Sequence, residues 1–402
     1  MPACVPSAVR RRACSRPDGG FTLVEMLVSL GIMMVVMAGV FTVFNPAQGA
    51  FRTQPEVADL QQRLRLAVAE VSDGLRNAGA GSYRGQGGGP LNAILAPILP
   101  YRLGSTASDP PNTFRDSAIT AIRVPADAAE STAAAPIATT TSDIQVTTGT
   151  GCPPGAPACG FRVGDRVLVF TDSGLYDTFT VTGITGENTL QHASDVLSRP
   201  YPAGVQLVEI VMDTYYLRNP DDGSTPQLMH YDGFETDEPV VDDVVALQFE
   251  YLGDPAPAAL VRSPAEAIGP WTTYGPKPPM PGLDNAGDSW PASENCLFAV
   301  AAGQQVPRLT SLGTGSLVPL TAAQLRNGPW CPDEASPSRF DADLLRIRTV
   351  RVTVRLQTGV DTLRGADAVF FARPGLGTDS SRLVPDQQIR FDISPRNVNL
   401  DR

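Results

Sequence analysis

The chain has 402 residues, of which 42% are hydrophobic and 18% are charged. This composition excludes a disordered acidic tail and a polytopic membrane protein, and the length is ample for a buried core. With 31 basic residues against 42 acidic ones the net charge is −11, so the chain lacks the basic character of a dedicated nucleic-acid binder. The 37 glycines and 37 prolines favour a body rich in loops and strands.

The N-terminus is a basic leader followed by a long apolar run. Residues 1–20 contain four arginines and one acidic residue, and residues 21–44 carry Glu25 as their single charge. A helix of that length measures about 36 Å, enough to cross a bilayer core of about 30 Å. Because the arginines precede the run, we expect them to stay cytoplasmic and the chain after residue 44 to be exported.

Three other kinds of N-terminal segment fit this run less well. A secretory signal would have a shorter apolar stretch and a small-residue cleavage site, for which residues 47–49 (AQG) are a poor match. A twin-arginine signal would use residues 10–12, which lie far back from the apolar run. A plain membrane anchor leaves Glu25 unexplained, since a carboxylate near the centre of a membrane helix costs about 2.5–3.5 kcal/mol.

Residues 20–25 (GFTLVE) resemble the class III signal of type IV prepilins and of type II secretion pseudopilins. The resemblance implies that a membrane-embedded prepilin peptidase cuts between Gly20 and Phe21 and methylates the new amino group of Phe21. It also implies that Glu25 pairs with the terminal ammonium group of a neighbouring subunit, which sets the axial register of the two helices. The alternative is a glutamate that only reaches back to the water interface.

The stretch after the apolar run predicts a second, amphipathic half of the helix. Prolines at positions 46 and 55 predict a kink or a local loss of helix. From position 57, apolar residues recur every three or four positions, which predicts one buried face and one wet face. The apolar set is Val57, Leu60, Leu64, Val68, Val71 and Leu75, and the polar set is Arg63, Arg65, Glu70 and Asp73.

The rest of the chain predicts a β-rich head with long connections. Residues 161–170 and 178–184 predict a hairpin, and further strands are expected within 205–217, 245–251, 344–356 and 388–393. The alternation slips once within 344–356, which predicts a bulge or a short helix that runs into the strand. The Ala/Thr-rich stretch 126–150 and the Pro-rich stretch 253–291 are expected to be surface excursions.

The resemblance and these patterns together predict an α+β, pilin-like fold. A leader at 1–20 would precede a transmembrane and assembly helix at 21–78, packed on an antiparallel β-rich globular head at 79–402. The order of the strand-like runs is similar to that of the PilW group of minor pilins. A head of this size is bulky to stack at every step of a filament, which favours a low-copy subunit.

Four cysteines lie in the portion expected to be exported. An even number in an oxidising compartment predicts two disulfides, for which three connectivities exist. We favour Cys152 with Cys159 and Cys296 with Cys331, each closing a loop of its own. A zinc site is the alternative, but neither spacing is C-x-x-C and no histidine is near.

The sequence offers little catalytic equipment and one weak type of metal site. Motifs for a serine hydrolase, a zinc protease or a phosphate-binding loop are missing, so the chain is not expected to be an enzyme. His192 and His230, the two histidines, are expected to be structural. Acidic residues cluster at 221–222 and 232–243, so calcium is conceivable as a cofactor at Asp237, Asp242 and Asp243, although a solvated acidic face is favoured.

Four arginines recur along or near one strand-like run. Arg346, Arg348, Arg351 and Arg355 predict a positive strip. It would face either DNA or an acidic neighbouring subunit. The acidic subunit is favoured because removal of the four leader arginines leaves the chain still more acidic.

We therefore expect a minor pilin that acts in type IV pilus assembly and initiation near the filament tip. Its partners would be prepilin peptidase, other minor and major pilins, the inner-membrane assembly platform and, before assembly, membrane lipid; nucleic acid is not expected. The protein would cross the inner membrane once with its head in the periplasm and later reach the pilus and the cell surface. The alternatives are a type II secretion pseudopilin, a tip adhesin or DNA-capture module, and an uncleaved anchored protein.

Overall fold

The computed structural model describes residues 20–81, 91, 93–149, 151–171, 173–193, 195–220, 224–258, 274–279 and 289–399, with the backbone alone at 43–50, 52, 381 and 399. The chain divides into two compact units, Met1–Pro55 and Glu56–Arg402. In the first unit the described residues are an apolar helix and the few residues before it. The second unit contains the rest of that helix and a β-rich head.

The long helix α1 (Leu23–Asn77) belongs to both units. Within the second unit it buries one stripe of side chains against the head, formed by Leu60, Ala67, Val71 and Leu75. Their spacing is that of a single helical face, as the sequence predicts. Each buried leucine or valine contributes about 1.5–3 kcal/mol of apolar transfer energy, so this stripe is the main attachment of the helix to the head.

Two expectations for this helix are wrong. The local loss of helix does not occur, because α1 is continuous through Pro46 and Pro55 although each proline removes one backbone hydrogen bond. The kink stays a prediction. Arg63 does not lie on a wet face. Its side chain is 18% exposed and forms ion pairs with Glu56, Asp59 and Asp243, since the head places Asp243 directly beside the helix.

The strands of the head are numbered along the chain. They are β1 (Ile98–Leu99), β2 (Ala118–Arg123), β3 (Glu130–Thr132), β4 (Ile144–Gln145), β5 (Arg166–Phe170), β6 (Tyr176–Thr180), β7 (Gly183–Thr185), β8 (Thr189–Gln191), β9 (Gln206–Arg218), β10 (Gln227–Tyr231), β11 (Asp237–Asp242), β12 (Val244–Gly253), β13 (Phe298–Ala301), β14 (Gln304–Pro307), β15 (Val318–Leu320), β16 (Trp330–Cys331), β17 (Phe340–Asp341), β18 (Ile347–Leu356) and β19 (Gln387–Ile393).

The first sheet is organised around β9. Among the described residues it follows the order β1-β2-β9-β10-β11, and β3, β5 and β6 attach to the other part of β9. The half of β9 from Val211 to Arg218 pairs with β2 and β10, and the half from Gln206 to Ile210 pairs with β3 and β5. All of these pairs are antiparallel, so one long strand joins two regions of the head.

The second sheet follows the order β15-β12-β18-β19 in the described chain. Side chains at every second position of β18 (Val350, Val352 and Val354) point into the core, where β12 contributes Leu247, Phe249 and Tyr251. The slip in the alternation has a simple cause. A short 3-10 helix, Ala342–Arg346, runs directly into β18, which is one of the two arrangements that the sequence predicts.

Two hydrophobic clusters fill the described part of the head. The larger one contains the buried stripe of α1 and both main sheets. The smaller one lies between β2 and β9 in the chain and is built from β3 to β8 with their connections. The expectation that 126–150 is a surface excursion is wrong, because its apolar residues Ala129, Ala133, Ile144 and Val146 are buried in this smaller cluster.

Other predicted elements are confirmed. β5 and β6 form the expected antiparallel hairpin, with register from Arg166 opposite Thr180 to Phe170 opposite Tyr176. Strands are also present within 205–217, 245–251 and 388–393. Most of 253–291 lies outside the described residues.

Candidate functional site

The start of α1 is a reciprocal hydrogen-bonded cap. The backbone N–H and the hydroxyl of Thr22 donate to Glu25 Oε2 at 2.9 and 3.0 Å, and the backbone N–H of Glu25 donates to Thr22 Oγ1 at 3.3 Å. This is a capping box, in which residue N-cap and residue N3 satisfy each other's free backbone donors. Gly20 and Phe21 stand immediately before it and are exposed.

The cap lowers the free-energy cost of placing a carboxylate at the start of an apolar helix. The positive end of the helix dipole lies at its N-terminus, where a negative side chain is stabilised by about 0.3–1 kcal/mol. Among the described residues Glu25 makes no ion pair, so its charge is held by Thr22 and the helix end alone. A cation supplied from outside the chain would therefore find the carboxylate already positioned.

The apolar part of α1 is not covered by any of the residues that the structure describes. Leu23–Thr42 has 20 residues with a mean hydropathy of 2.3, and none of it is buried against those residues. Side chains such as Met34 and Val35 are 70% and 73% exposed. Such a surface is stable only in lipid or against other apolar helices, which fits a membrane-anchoring helix.

Comparison with known protein families identifies this segment. The family model of the prokaryotic N-terminal methylation motif matches residues 15–41, which include the Gly20–Phe21 junction, Thr22 and Glu25. The chain is a prepilin-like protein. The motif implies processing by prepilin peptidase and assembly with other pilins, and it is common to type IV pilins and pseudopilins. No curated protein and no solved structure matches the chain.

Four cysteines in the head of this prepilin-like chain form two disulfides, in the pairing favoured from the sequence. Cys152 is bonded to Cys159, and Cys296 is bonded to Cys331. The first closes a tight loop beside β3, where Cys159 is buried. The second joins the buried residue Cys296 to β16 within the larger hydrophobic cluster.

Of the three acidic residues considered for calcium, Asp237 lies apart from the adjacent pair Asp242 and Asp243. Asp237 and Asp242 lie at opposite ends of β11, about 17 Å apart for a strand of that length. Asp237 accepts from Tyr216 and Arg102, Asp242 accepts from Gln227, and Asp243 pairs with Arg63. In the described chain no group of three His, Cys, Asp or Glu residues is arranged to hold a metal ion, and residues 221–222 lie outside that part.

The prediction that four arginines form a positive surface strip is wrong. Arg346 is fully buried, where its guanidinium pairs with Asp343 and donates to the backbone carbonyls of Asp254, Pro255, Ala256 and Thr310. Arg348 is also buried, and burial lowers its pKa to about 10. Arg351 and Arg355 form ion pairs with Asp392 and Asp386. Two of the four arginines thus hold loops inside the head, and the other two are neutralised locally.

Both histidines have structural contacts. The two ring nitrogens of His192 lie 2.7 and 2.8 Å from the carbonyls of Asp195 and Ser142. His230 joins the sheet to the helix: its Nε2 lies 2.9 Å from Asp213 Oδ1, and its Nδ1 lies 4.0 Å from Glu70 Oε1 on α1. The hydrogen bond that the His230 ring donates to Asp213 raises the pKa of His230.

Two features of this molecule were not predicted from the sequence. The Thr22–Glu25 cap follows a T-x-x-E pattern that was visible in the sequence. The contacts of His230 had no such signal, because Asp213 meets it only when β9 pairs with β10 and Glu70 only when α1 packs on the sheet.

Proposed function

We propose that this prepilin-like chain is a minor pilin that helps to initiate or cap a type IV pilus. The observation that supports this most is the combination at α1: an uncovered apolar helix, a capped Glu25 at its start and a prepilin motif around both. Proteins that carry this motif are generally structural rather than enzymatic. The head contains two hydrophobic clusters, so it is large for a subunit repeated along a shaft, and a low copy number follows.

In this proposal, cleavage after Gly20 creates the assembly group. The new amino group of Phe21 is protonated and lies within one helical turn of Glu25 in the same chain. When apolar helices pack side by side, the ammonium group of one subunit neutralises Glu25 of its neighbour, which removes two isolated charges from an apolar bundle. The capping box holds the carboxylate in place until that partner arrives.

The proposed topology is a single membrane pass with the head in the periplasm. The leader arginines precede the apolar helix and would remain cytoplasmic. The two disulfides support an oxidising compartment for the head. The assembly platform of the inner membrane would then extract the subunit from the lipid and add it to the filament.

A second candidate role is capture of a ligand at the filament tip. Its support is the smaller hydrophobic cluster, which lies between β2 and β9 in the chain and shares no residue with the larger cluster that packs against α1. The same region also contributes Leu168, Phe170 and Tyr176 to the larger cluster, so the candidate capture role rests on its exposed surface. Val163→Glu and Val196→Glu, at two exposed positions, change that surface and leave both clusters intact. A capture region would then lose attachment or DNA binding with piliation intact, whereas a purely structural subunit would keep both.

The proposal is tested by the N-terminal residue and intact mass of the protein from membranes and from sheared surface material. The expected species begins at N-methylated Phe21 and occurs in the sheared fraction. A Cβ at Gly20 would meet nothing within 4 Å, so Gly20→Ala leaves the fold undisturbed and is expected to block cleavage alone. Gly31→Ala is the matched control, because its Cβ is equally free of contacts, and cleavage should be normal.

Two other results would contradict the proposal. A chain that begins at Met1 and stays in membranes even with an active prepilin peptidase would be an anchored protein outside this pathway. A processed chain whose deletion abolishes protein secretion and leaves piliation intact would be a type II secretion pseudopilin.

A further inference from the structure

The connection between β18 and β19 carries an exposed apolar surface. Within residues 357–386, the side chains of Val360, Val369, Phe370 and Leu376 are 43%, 76%, 54% and 77% exposed. We call these four residues the apolar crest. They stand out because the neighbouring sheet face is polar and is covered by ion pairs such as Arg351–Asp392.

The connection that carries the crest is well ordered by its own contacts. Its two arms are joined by backbone hydrogen bonds from Gly375 to Gly365 and from Leu376 to Asp361, at 3.1 and 2.8 Å. A Cβ at Gly375 would lie 2.4 Å from the Asp361 carbonyl oxygen, so the backbones of the two arms are in direct contact. The exposure of the crest therefore belongs to the folded state.

The charges around the crest balance. Asp361 pairs with Arg364, Asp379 with Arg382, and Asp386 with Arg355. In the part of the chain that the structure describes, Asp367 and Arg373 lie on either side of Phe370 and make no ion pair, so one negative and one positive charge remain. An apolar surface of balanced charge with a long arginine side chain beside it is suited to a lipid interface, where the guanidinium can reach the phosphates.

The crest lies at the Glu56 end of the second unit. Thr358 Oγ1 donates to Glu56 Oε1 at 2.6 Å, and the backbone N–H of Gln357 donates to the Asp243 carbonyl at 3.0 Å. Asp243 in turn pairs with Arg63 on α1. The smaller cluster lies past the C-terminal end of α1, where the backbone N–H of Gly79 donates to the Ile122 carbonyl. Its strands β3 and β5 pair with the half of β9 nearest Gln206.

The occupant follows from the length of chain between Glu56 and the membrane span. The span ends at Thr42, and residues 43–55 connect it to Glu56. Thirteen residues cover about 20 Å as a helix and at most about 47 Å when fully extended. The bilayer that holds Leu23–Thr42 is thus always within reach of this end of the head. Lipid is therefore an apolar partner that the membrane span of the same chain keeps close to the crest.

We propose that the apolar crest inserts into the headgroup and upper acyl region of the bilayer that holds the chain's own apolar helix. Phe370, Val369 and Leu376 lie in the acyl boundary, and Arg373 contacts lipid phosphates. Before assembly, this contact holds the head against the membrane surface. The inference goes beyond the proposed function, since it needs neither cleavage at Gly20 nor a filament.

The test uses the full chain reconstituted in vesicles of phosphatidylcholine and phosphatidylglycerol, made either with ordinary or with dibrominated acyl chains. Phe370→Trp places a fluorophore on the crest, and the wild type with its three tryptophans gives the background. The matched control is Val163→Trp, at a 63% exposed position beside β5 and the smaller cluster. We expect the added emission at residue 370 to be blue-shifted and quenched by brominated lipid, and that at residue 163 to be unaffected.

Three further outcomes decide the proposal. Leu376→Glu combined with Phe370→Trp should abolish the quenching, since a carboxylate on the crest opposes insertion, and quenching that persists would overturn it. Equal quenching at residues 370 and 163, or none at either, would also overturn it. Quenching or a blue shift that vanishes as the protein is diluted into excess lipid would mean that the crest contacts a second copy of the chain instead of lipid.

Discussion

Thr22 and Glu25 each accept a hydrogen bond from the other at the first turn of α1. The glutamate therefore has two separable properties, an acceptor that caps its own helix and a negative charge. Glutamine at this position retains the first property and removes the second, because a Gln at N3 also completes a capping box.

Glu25→Gln is expected to leave processing and membrane insertion intact but to prevent incorporation into filaments. The helix start remains capped, whereas the neutral amide offers no charge to a neighbouring ammonium group. The measurement is the ratio of processed subunit in sheared filaments to that in membranes. Thr22→Ser is the control, since it retains the hydroxyl. If Glu25→Gln assembles like the wild type, the charge has no role in assembly.

Gly74 allows the ring of Tyr215 to lie against α1. A Cβ at Gly74 would come within 2.6 Å of Tyr215 Cε2, and the ring is buried and cannot move aside. Gly74→Ala is thus expected to lower the free energy of unfolding of the head by about 1–3 kcal/mol, although alanine is the better helix former. Denaturant unfolding of the full chain in detergent measures the change.

The control for that prediction is Ala69→Gly, at an exposed position of the same helix, which costs only the intrinsic propensity difference of about 1 kcal/mol. A Gly74→Ala protein that is more stable than the wild type would show that α1 and the ring of Tyr215 are not in close contact.

His230 is expected to make the stability of the head depend on pH. Its hydrogen bond with Asp213 raises its pKa above the usual value, so the protonated form favours the folded state. The stabilisation is complete below about pH 6.5 and is lost as the pH rises through the folded pKa. Because the ring is partly exposed, the loss should be on the order of 1 kcal/mol.

The comparison that isolates this effect is wild type against His230→Gln, with unfolding followed between acidic and mildly alkaline pH. The difference in stability between the two proteins should shrink as the pH rises. Parallel curves would mean that His230 has the same pKa in the folded and unfolded chains.

The two disulfides are expected to differ in their effect on stability. Cys296–Cys331 closes a loop with a sequence separation of 35 and Cys152–Cys159 one of 7. A longer closed loop restricts the unfolded chain more, so replacing the first pair by serine should cost about 4 kcal/mol and the second about 2 kcal/mol. Thermal or denaturant unfolding of the two double variants checks this order. Equal losses would show that loop closure is not the main contribution.

The sequence alone determined the features that depend on neighbouring residues. The prepilin motif at Gly20–Glu25, the apolar helix, the β5–β6 hairpin and the slip before β18 are all visible in short stretches of chain. Each is specified by local side-chain pattern or by a charge at a fixed spacing. The sequence favoured one of three cysteine pairings, and the disulfides Cys152–Cys159 and Cys296–Cys331 of the folded chain decide it.

Only the tertiary structure decided what the distant residues do. Arg346 lies in a sequence that predicts a positive surface, yet its guanidinium binds carbonyls up to 92 residues away and is fully buried. Residues 126–150 are Ala/Thr-rich like a surface loop, but they pair with β8 and β9 and complete a second cluster. The connection between β18 and β19 that carries the apolar crest is likewise brought to α1 by a distant contact, the hydrogen bond from Thr358 to Glu56, 302 residues away. Hydrogen-bond partners and burial are properties of the folded chain, and pairings between distant segments leave no local pattern in the sequence.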